Sequence, residues 1–190
     1  YQAEKWEIIK INPIKKATKP APKKKEAKFY TRDQVNRLLK AAKESDKWMY
    51  RFIIVAVNTG LRMSEMLGIQ WEYVNLNKKT LTVQEVLVKV SGEGAIFKEI
   101  PKTKNSQRTI ALPNKLIPIF KDIKKEQAEL RLRFGAEYYT EKNLVFCKID
   151  GSPYYPTTIN RNFNSIKEKA GIFDSELNIH SLRHTHASRL

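Results

Sequence analysis

Three short segments carry side chains suited to binding phosphate or moving protons. In Asn58-Thr59-Gly60-Leu61-Arg62-Met63-Ser64-Glu65 an arginine follows a glycine at a helix junction. There a guanidinium could enter a cleft while Leu61 and Leu67 pack inward; the spacing equally suits a plain pairing of Arg62 with Glu65 on the next turn. In Pro101-Lys102-Thr103-Lys104-Asn105-Ser106-Gln107-Arg108-Thr109-Ile110, two lysines occupy a loop between strands. Their flexible stems could reach an anion without ordering a helix, although a solvated charged turn has the same composition. In His180-Ser181-Leu182-Arg183-His184-Thr185-His186, His180 and Arg183 lie three apart at a helix start. They therefore share a face, where the helix terminus adds a positive field, and that arrangement suits a phosphate.

His180 and His184 also have an i, i+4 metal-ligand spacing, but no carboxylate or cysteine lies nearby to complete a zinc set of three or four protein ligands. His184 or His186 is as readily a hydrogen-bonded core histidine. Cys147 is the single cysteine, so neither an internal disulfide nor a cysteine zinc site is available. The segments searched hold no serine-nucleophile elbow, phosphate-cradling glycine loop or paired carboxylates.

Helices and a small sheet must position these groups. Thr31 and Gln34 have the spacing of a capping box, predicting a helix over about 32–44 with Val35, Leu38, Leu39 and Ala42 on its buried face. Phe52 to Val57 is apolar all round; with Trp48-Met49-Tyr50-Arg51 before it, the run is too long for a typical strand and predicts a core helix stopped near Gly60. Residues 80–89 alternate as a strand, 91–94 turn, 95–100 return, and 107–112 can pair as a third strand. Helices are expected from Asn114 to about Phe134, from Pro156 to Ala170 before Gly171, and from Ser181 onward. The fold class is mainly α (α+β), with helices around a small three-stranded antiparallel sheet.

The chain has 190 residues, 36 Lys+Arg against 20 Asp+Glu, and a formal charge of +16. That balance favours a polyanionic partner, because each cation that neutralises a phosphate releases a condensed counterion. Nucleic acid leads, ahead of an anionic membrane surface or lysine serving only solubility. No apolar run approaches the roughly 20 residues of a membrane span, and the first residues do not resemble a signal peptide; the expectation is a soluble, intracellular protein without a membrane partner. Residues 15–28 hold seven lysines and two prolines and predict an extended basic linker, with Lys23, Lys24 and Lys25 available to a phosphate backbone. Trp6, Ile8, Ile9, Ile11 and Ile14 suggest that residues 1–14 end a preceding helical domain.

In this order, the three segments resemble the catalytic domain of tyrosine recombinases, the phage-integrase family. Thr59-Gly60-Leu61-Arg62-Met63-Ser64-Glu65 resembles the first arginine box, Lys102-Thr103-Lys104 contains the hairpin lysine, and His180-Ser181-Leu182-Arg183-His184 resembles the H-x-L-R-H box. Phe29-Tyr30-Thr31 after a lysine-rich linker is similar to the entry of this domain, so the resemblance covers about 29–190, with 1–14 similar to the end of the core-binding domain.

The resemblance implies a DNA-breaking-rejoining fold and a site-specific recombinase, the integrase of a phage or other mobile element. It implies attack by a tyrosine on a phosphodiester of double-stranded DNA, a 3′-phosphotyrosine link, and no metal or organic cofactor. Arg62 and Arg183 would hold the phosphate, Lys104 rather than Lys102 would protonate the leaving 5′-oxygen, and His180 would manage the nucleophile's proton or hold the phosphate. Lys102 and Arg108, with the linker lysines, would contact DNA.

The family places a second His or Trp and the nucleophilic tyrosine after the H-x-L-R-H box. All eight tyrosines here precede it, so the 190 residues alone are expected to be inactive. The resemblance further implies a homotetramer of the full-length protein on DNA, in the cytoplasm of a bacterial cell and associated with its nucleoid. A catalytically inactive DNA-binding module of the same fold, or a type IB topoisomerase, are the alternatives.

Overall fold

The computed structural model describes residues 2–12, 28–90, 92, 94–100 and 107–188. Lys23, Lys24, Lys25, Lys102 and Lys104 lie outside the described residues. Seven helices are described: α1 (Gln2–Lys5), α2 (Arg32–Ser45), α3 (Lys47–Thr59), α4 (Met63–Leu67), α5 (Ile117–Phe134), α6 (Pro156–Lys169) and α7 (Ser181–Ala187). Between α4 and α5 run five strands, β1 (Val74–Asn75), β2 (Thr80–Val83), β3 (Glu85–Val90), β4 (Gly94–Glu99) and β5 (Arg108–Ala111).

Local chemistry starts and stops these helices. Gln34 N–H donates to Thr31 Oγ1 (3.2 Å) and Thr31 N–H to Gln34 Oε1 (2.9 Å), a reciprocal box that satisfies two backbone donors at the start of α2. Asp46 then caps α3 through Met49 N–H (2.9 Å). Gly60 ends α3 at φ 63°, ψ 18°, a left-handed conformation that carries a steric cost for any side chain.

Helix α3 runs through the core and packs against α2 and α7. Its Met49, Phe52, Ile53, Val55, Ala56 and Val57 are buried, together with Leu38 of α2, Phe120 of α5, Phe163 of α6 and Leu182 of α7. Each large side chain removed from water in this way contributes about 1.5–3 kcal/mol. Trp48 stacks on Phe52 at 5.2 Å, and Phe146 meets Phe52 edge-on at the same separation. The buried guanidinium of Arg51 is held by Asp122 and Glu126 of α5, tying the two helices together.

The strands pair differently from a simple meander. The three-stranded antiparallel sheet has the order β1-β2-β5, while β3 and β4 form a separate hairpin. The expected strand over 80–89 is interrupted at Gln84, and β5 joins β2, with Leu81 opposite Ile110 and Val83 opposite Arg108. Alternation assigns the faces of a strand but not its partner, and the two-residue β1 is too short to show any alternation. This pairing delivers Arg108 to α4.

Candidate phosphate-binding site

The centre of the site is an acid. Glu65, on the one-turn helix α4, has a side chain only 4% exposed. It accepts the backbone N–H of Arg62 (2.8 Å), closing the start of α4, and Arg62 Nη1 donates to the same carboxylate at 2.9 Å. Arg108, from β5, makes a two-pronged contact with it at 3.1 and 2.8 Å. Arg183 of α7 places Nη1 4.0 Å from Glu65 Oε2, an ion-pair distance rather than a hydrogen bond. Three arginines from three elements thus surround one buried carboxylate.

Burial by itself raises the Glu65 carboxyl; hydrogen bonds from Arg108 and from the Arg62 backbone outweigh it, and the group lies below its ordinary value. Glu65 is therefore an anion that compensates part of the arginine charge while remaining shielded from water. Arg62 is half exposed and Arg183 about one third exposed. A guanidinium has five N–H donors, and the contacts described engage one on Arg62 (to Glu65) and one on Arg183 (to Gly60 O, 2.6 Å).

His180 joins this group. Arg62, Ser64, Asn160, Asn164, Asn178 and His180 line one open cleft, and the His180 ring meets His184 edge-on at 4.8 Å. Burial first, then the neighbouring His184, Arg183 and Arg62, push His180 below its ordinary 6.5, so its neutral form prevails at pH 7. Asn178 caps the start of α7, accepting from His180 N–H at 2.8 Å. Helix α7 spans Ser181–Ala187 among the described residues.

The sequence-derived set divides cleanly. Arg62, His180 and Arg183 come together. Arg108, expected on DNA, places its guanidinium on Glu65. Lys102 and Lys104 fall outside the described residues, as do the linker lysines. The plain pairing of Arg62 with Glu65 and a place for Arg62 in the cleft coexist. Sequence reasoning missed Glu65 as the shared counter-ion: its spacing from Arg62 was visible, but nothing local announces an arginine 43 positions away. Among the described residues no group of three or more His, Cys, Asp or Glu is placed to hold a metal ion.

The sequence pattern described as "Phage integrase family" matches residues 28–190. This chain belongs to that family. A tyrosine recombinase XerC-like protein of Caldanaerobacter subterraneus subsp. tengcongensis is 33% identical over 146 residues, covering 72% of this chain and 37% of the relative. The integrase of Staphylococcus phage L54a is 27% identical, covering 94% of this chain and 52% of its own. The ICEBs1 integrase of Bacillus subtilis is also 27% identical, over 97% of this chain and 48% of its own. The chain thus spans about half or less of the length of these relatives. The Tn1549 transposon integrase, solved in complex with a circular intermediate DNA, shares the fold at TM-score 0.76 and 22% identity, over 100% of this chain and 62% of that one. A lambda integrase tetramer bound to a Holliday junction shares it at TM-score 0.60 and 17% identity, over 98% and 47%. The mostly helical architecture with a small antiparallel sheet is that of tyrosine recombinase catalytic domains.

Proposed function

We propose that this chain supplies the phosphate-activating part of a site-specific DNA recombinase, the integrase of a phage or other mobile element, which cuts and rejoins double-stranded DNA through a 3′-phosphotyrosine link. The observation that carries the reading is the gathering of Arg62 and Arg183 around Glu65, with His180 in the same cleft as Arg62. Membership of the phage-integrase family supports it.

As a tyrosine oxygen attacks the scissile phosphorus, negative charge grows on the non-bridging oxygens, and two fixed guanidiniums can meet it with short, charge-assisted hydrogen bonds. His180, neutral at pH 7, can accept the tyrosine proton. Lys104 donates a proton to the departing 5′-oxygen. The new phosphotyrosine ester conserves the energy of the broken phosphodiester, so rejoining needs no nucleotide triphosphate.

None of the tyrosines in this chain suits the nucleophile role. Tyr30 is buried, donates its hydroxyl to Asn178 O (3.2 Å), and is pushed well above its ordinary value by burial. The other seven also precede the H-x-L-R-H box. The nucleophile therefore comes from outside these 190 residues, and the chain alone does not cleave. Residues 1–14 belong to a helical core-binding unit and 15–28 to a basic linker. The complete protein works as a homotetramer on DNA, on the nucleoid in the bacterial cytoplasm.

The test is Arg183→Ala in the complete recombinase. Loss of one donor to the transition state lowers strand cleavage by about 10² to 10³ or more, while duplex affinity stays within a few fold. Equal loss of cleavage and affinity overturns the catalytic assignment in favour of a DNA-binding module.

A further inference from the structure

His186 is not needed by the chemistry above, yet its ring packs against the turn between α3 and α4. Helix α3 ends at Thr59, and the carbonyl of Val57 has lost its intrahelical partner: the N–H four residues on, that of Leu61, turns to Thr59 Oγ1 at 3.5 Å instead. His186 Nδ1 lies 3.1 Å from Val57 O. A carbonyl only accepts, so Nδ1 carries the proton, which fixes the tautomer of a neutral ring.

The same ring rests on the glycine that follows. A Cβ at Gly60 would come within 2.5 Å of His186 Cδ2, so the ring fills the space that glycine leaves. Three residues earlier on the same face of α7, Arg183 Nη1 donates to Gly60 O at 2.6 Å. Helix α7 therefore grips the turn at two points, one through the reactive arginine and one through His186. Two residues past Gly60 the chain reaches Arg62.

We propose that His186 is a positioning residue for phosphate binding: its Nδ1–H bond to Val57 O and its ring against Gly60 hold the α3–α4 turn so that Arg62 and Arg183 keep a fixed relation. This rests on the phosphate-site reading above. His186 touches no reacting atom, and its effect passes through the turn.

The experiment uses the 190-residue chain, with inorganic phosphate as the probe and the Nε–H resonances of Arg62 and Arg183 as the readout. In the unaltered chain both resonances shift together with one dissociation constant. The 15N shifts of the His186 ring show Nδ1 protonated and Nε2 bare at pH 7.5.

His186→Phe keeps a ring but removes the donor, and is expected to weaken phosphate binding about tenfold and to uncouple the two arginine shifts. His186→Asn, whose side-chain amide can donate from nearly the same place, restores binding to within about twofold. If both arginines bind phosphate jointly in the unaltered chain and His186→Phe binds equally well, the positioning role is wrong while the site stands. If the unaltered chain shows no joint response, the phosphate-site reading itself fails. Should His186→Phe not fold, the ring tautomer still decides: a bare Nδ1 overturns the inference.

Discussion

Glu65 shows how one residue can set the character of a cationic site. Its carboxylate offsets the mutual repulsion of Arg62, Arg108 and Arg183, and it does so from a buried position where its own interactions are little screened. Glu65→Gln keeps the shape and removes the charge. Breaking a fully buried ion pair costs about 3–5 kcal/mol; because all three arginines remain partly exposed, the expected loss is smaller, about 1–3 kcal/mol. Urea denaturation should show it as a lower midpoint at an unchanged slope.

The pH dependence has a definite sign. Glu65 is held below its ordinary 4.5, so its contribution is complete above that pH and is lost as the pH falls through the lower value of the folded state. The stability difference between the two proteins should accordingly be constant near neutrality and shrink below pH 4.5. A gap that persists unchanged into strong acid would mean that Glu65 acts through shape and not charge. His180 is shifted in the same direction, which for a base favours the neutral form. Its folded value is depressed from 6.5, so proton-detected titration should place its midpoint below 6.5, and adding phosphate should raise it by supplying a nearby anion. A midpoint at or above 6.5 without phosphate would remove the basis for a neutral His180.

At the scale of elements, the helices were legible and the sheet was only half legible. The Thr31–Gln34 box, the apolar run of α3 and the Gly60 stop are encoded within a few residues, and the structure repeats them. Strand partnership is decided by contacts distant in sequence, which is why β5 pairs with β2 rather than with β4. The candidate site follows the same division. Arg62, His180 and Arg183 were visible in local boxes, whereas the role of Arg108 depends on β5 lying beside β2 and so could not be read from its neighbours. His186 was visible only as a histidine of uncertain use, because its partners are on α3. The junction between α3 and α4 bears the consequence. Gly60→Ala would force a side chain into a left-handed conformation and against the His186 ring. Strain of this kind costs about 1–3 kcal/mol, and relief requires the ring to leave Val57 O. We expect a stability loss in that range together with loosening of the Arg183 bond to Gly60 O, seen as faster exchange of the Arg183 Nη–H protons. A variant of unaltered stability would show that the turn has slack.

For the whole molecule the governing quantity is the charge of +16. It exceeds what a single phosphate cleft requires, so on the proposed function most of it acts along the length of the DNA and not on the scissile bond. Counterion release makes that separation measurable, because each phosphate neutralised on duplex DNA adds about 0.9 to the slope of log affinity against log salt. Replacing Lys23, Lys24 and Lys25 with serine removes at most three such contacts. If all three ride on the backbone, the slope should fall by about 2.7 and affinity should drop most at low salt. Arg183→Ala removes a charge of the same sign, but from a cleft proposed to engage one phosphate, and its slope should change by no more than about 0.9. The two variants therefore separate the charges that hold DNA from those that act on it. An unchanged slope in the triple-lysine variant would place the linker off the duplex and leave the folded domain to account for the whole electrostatic attraction.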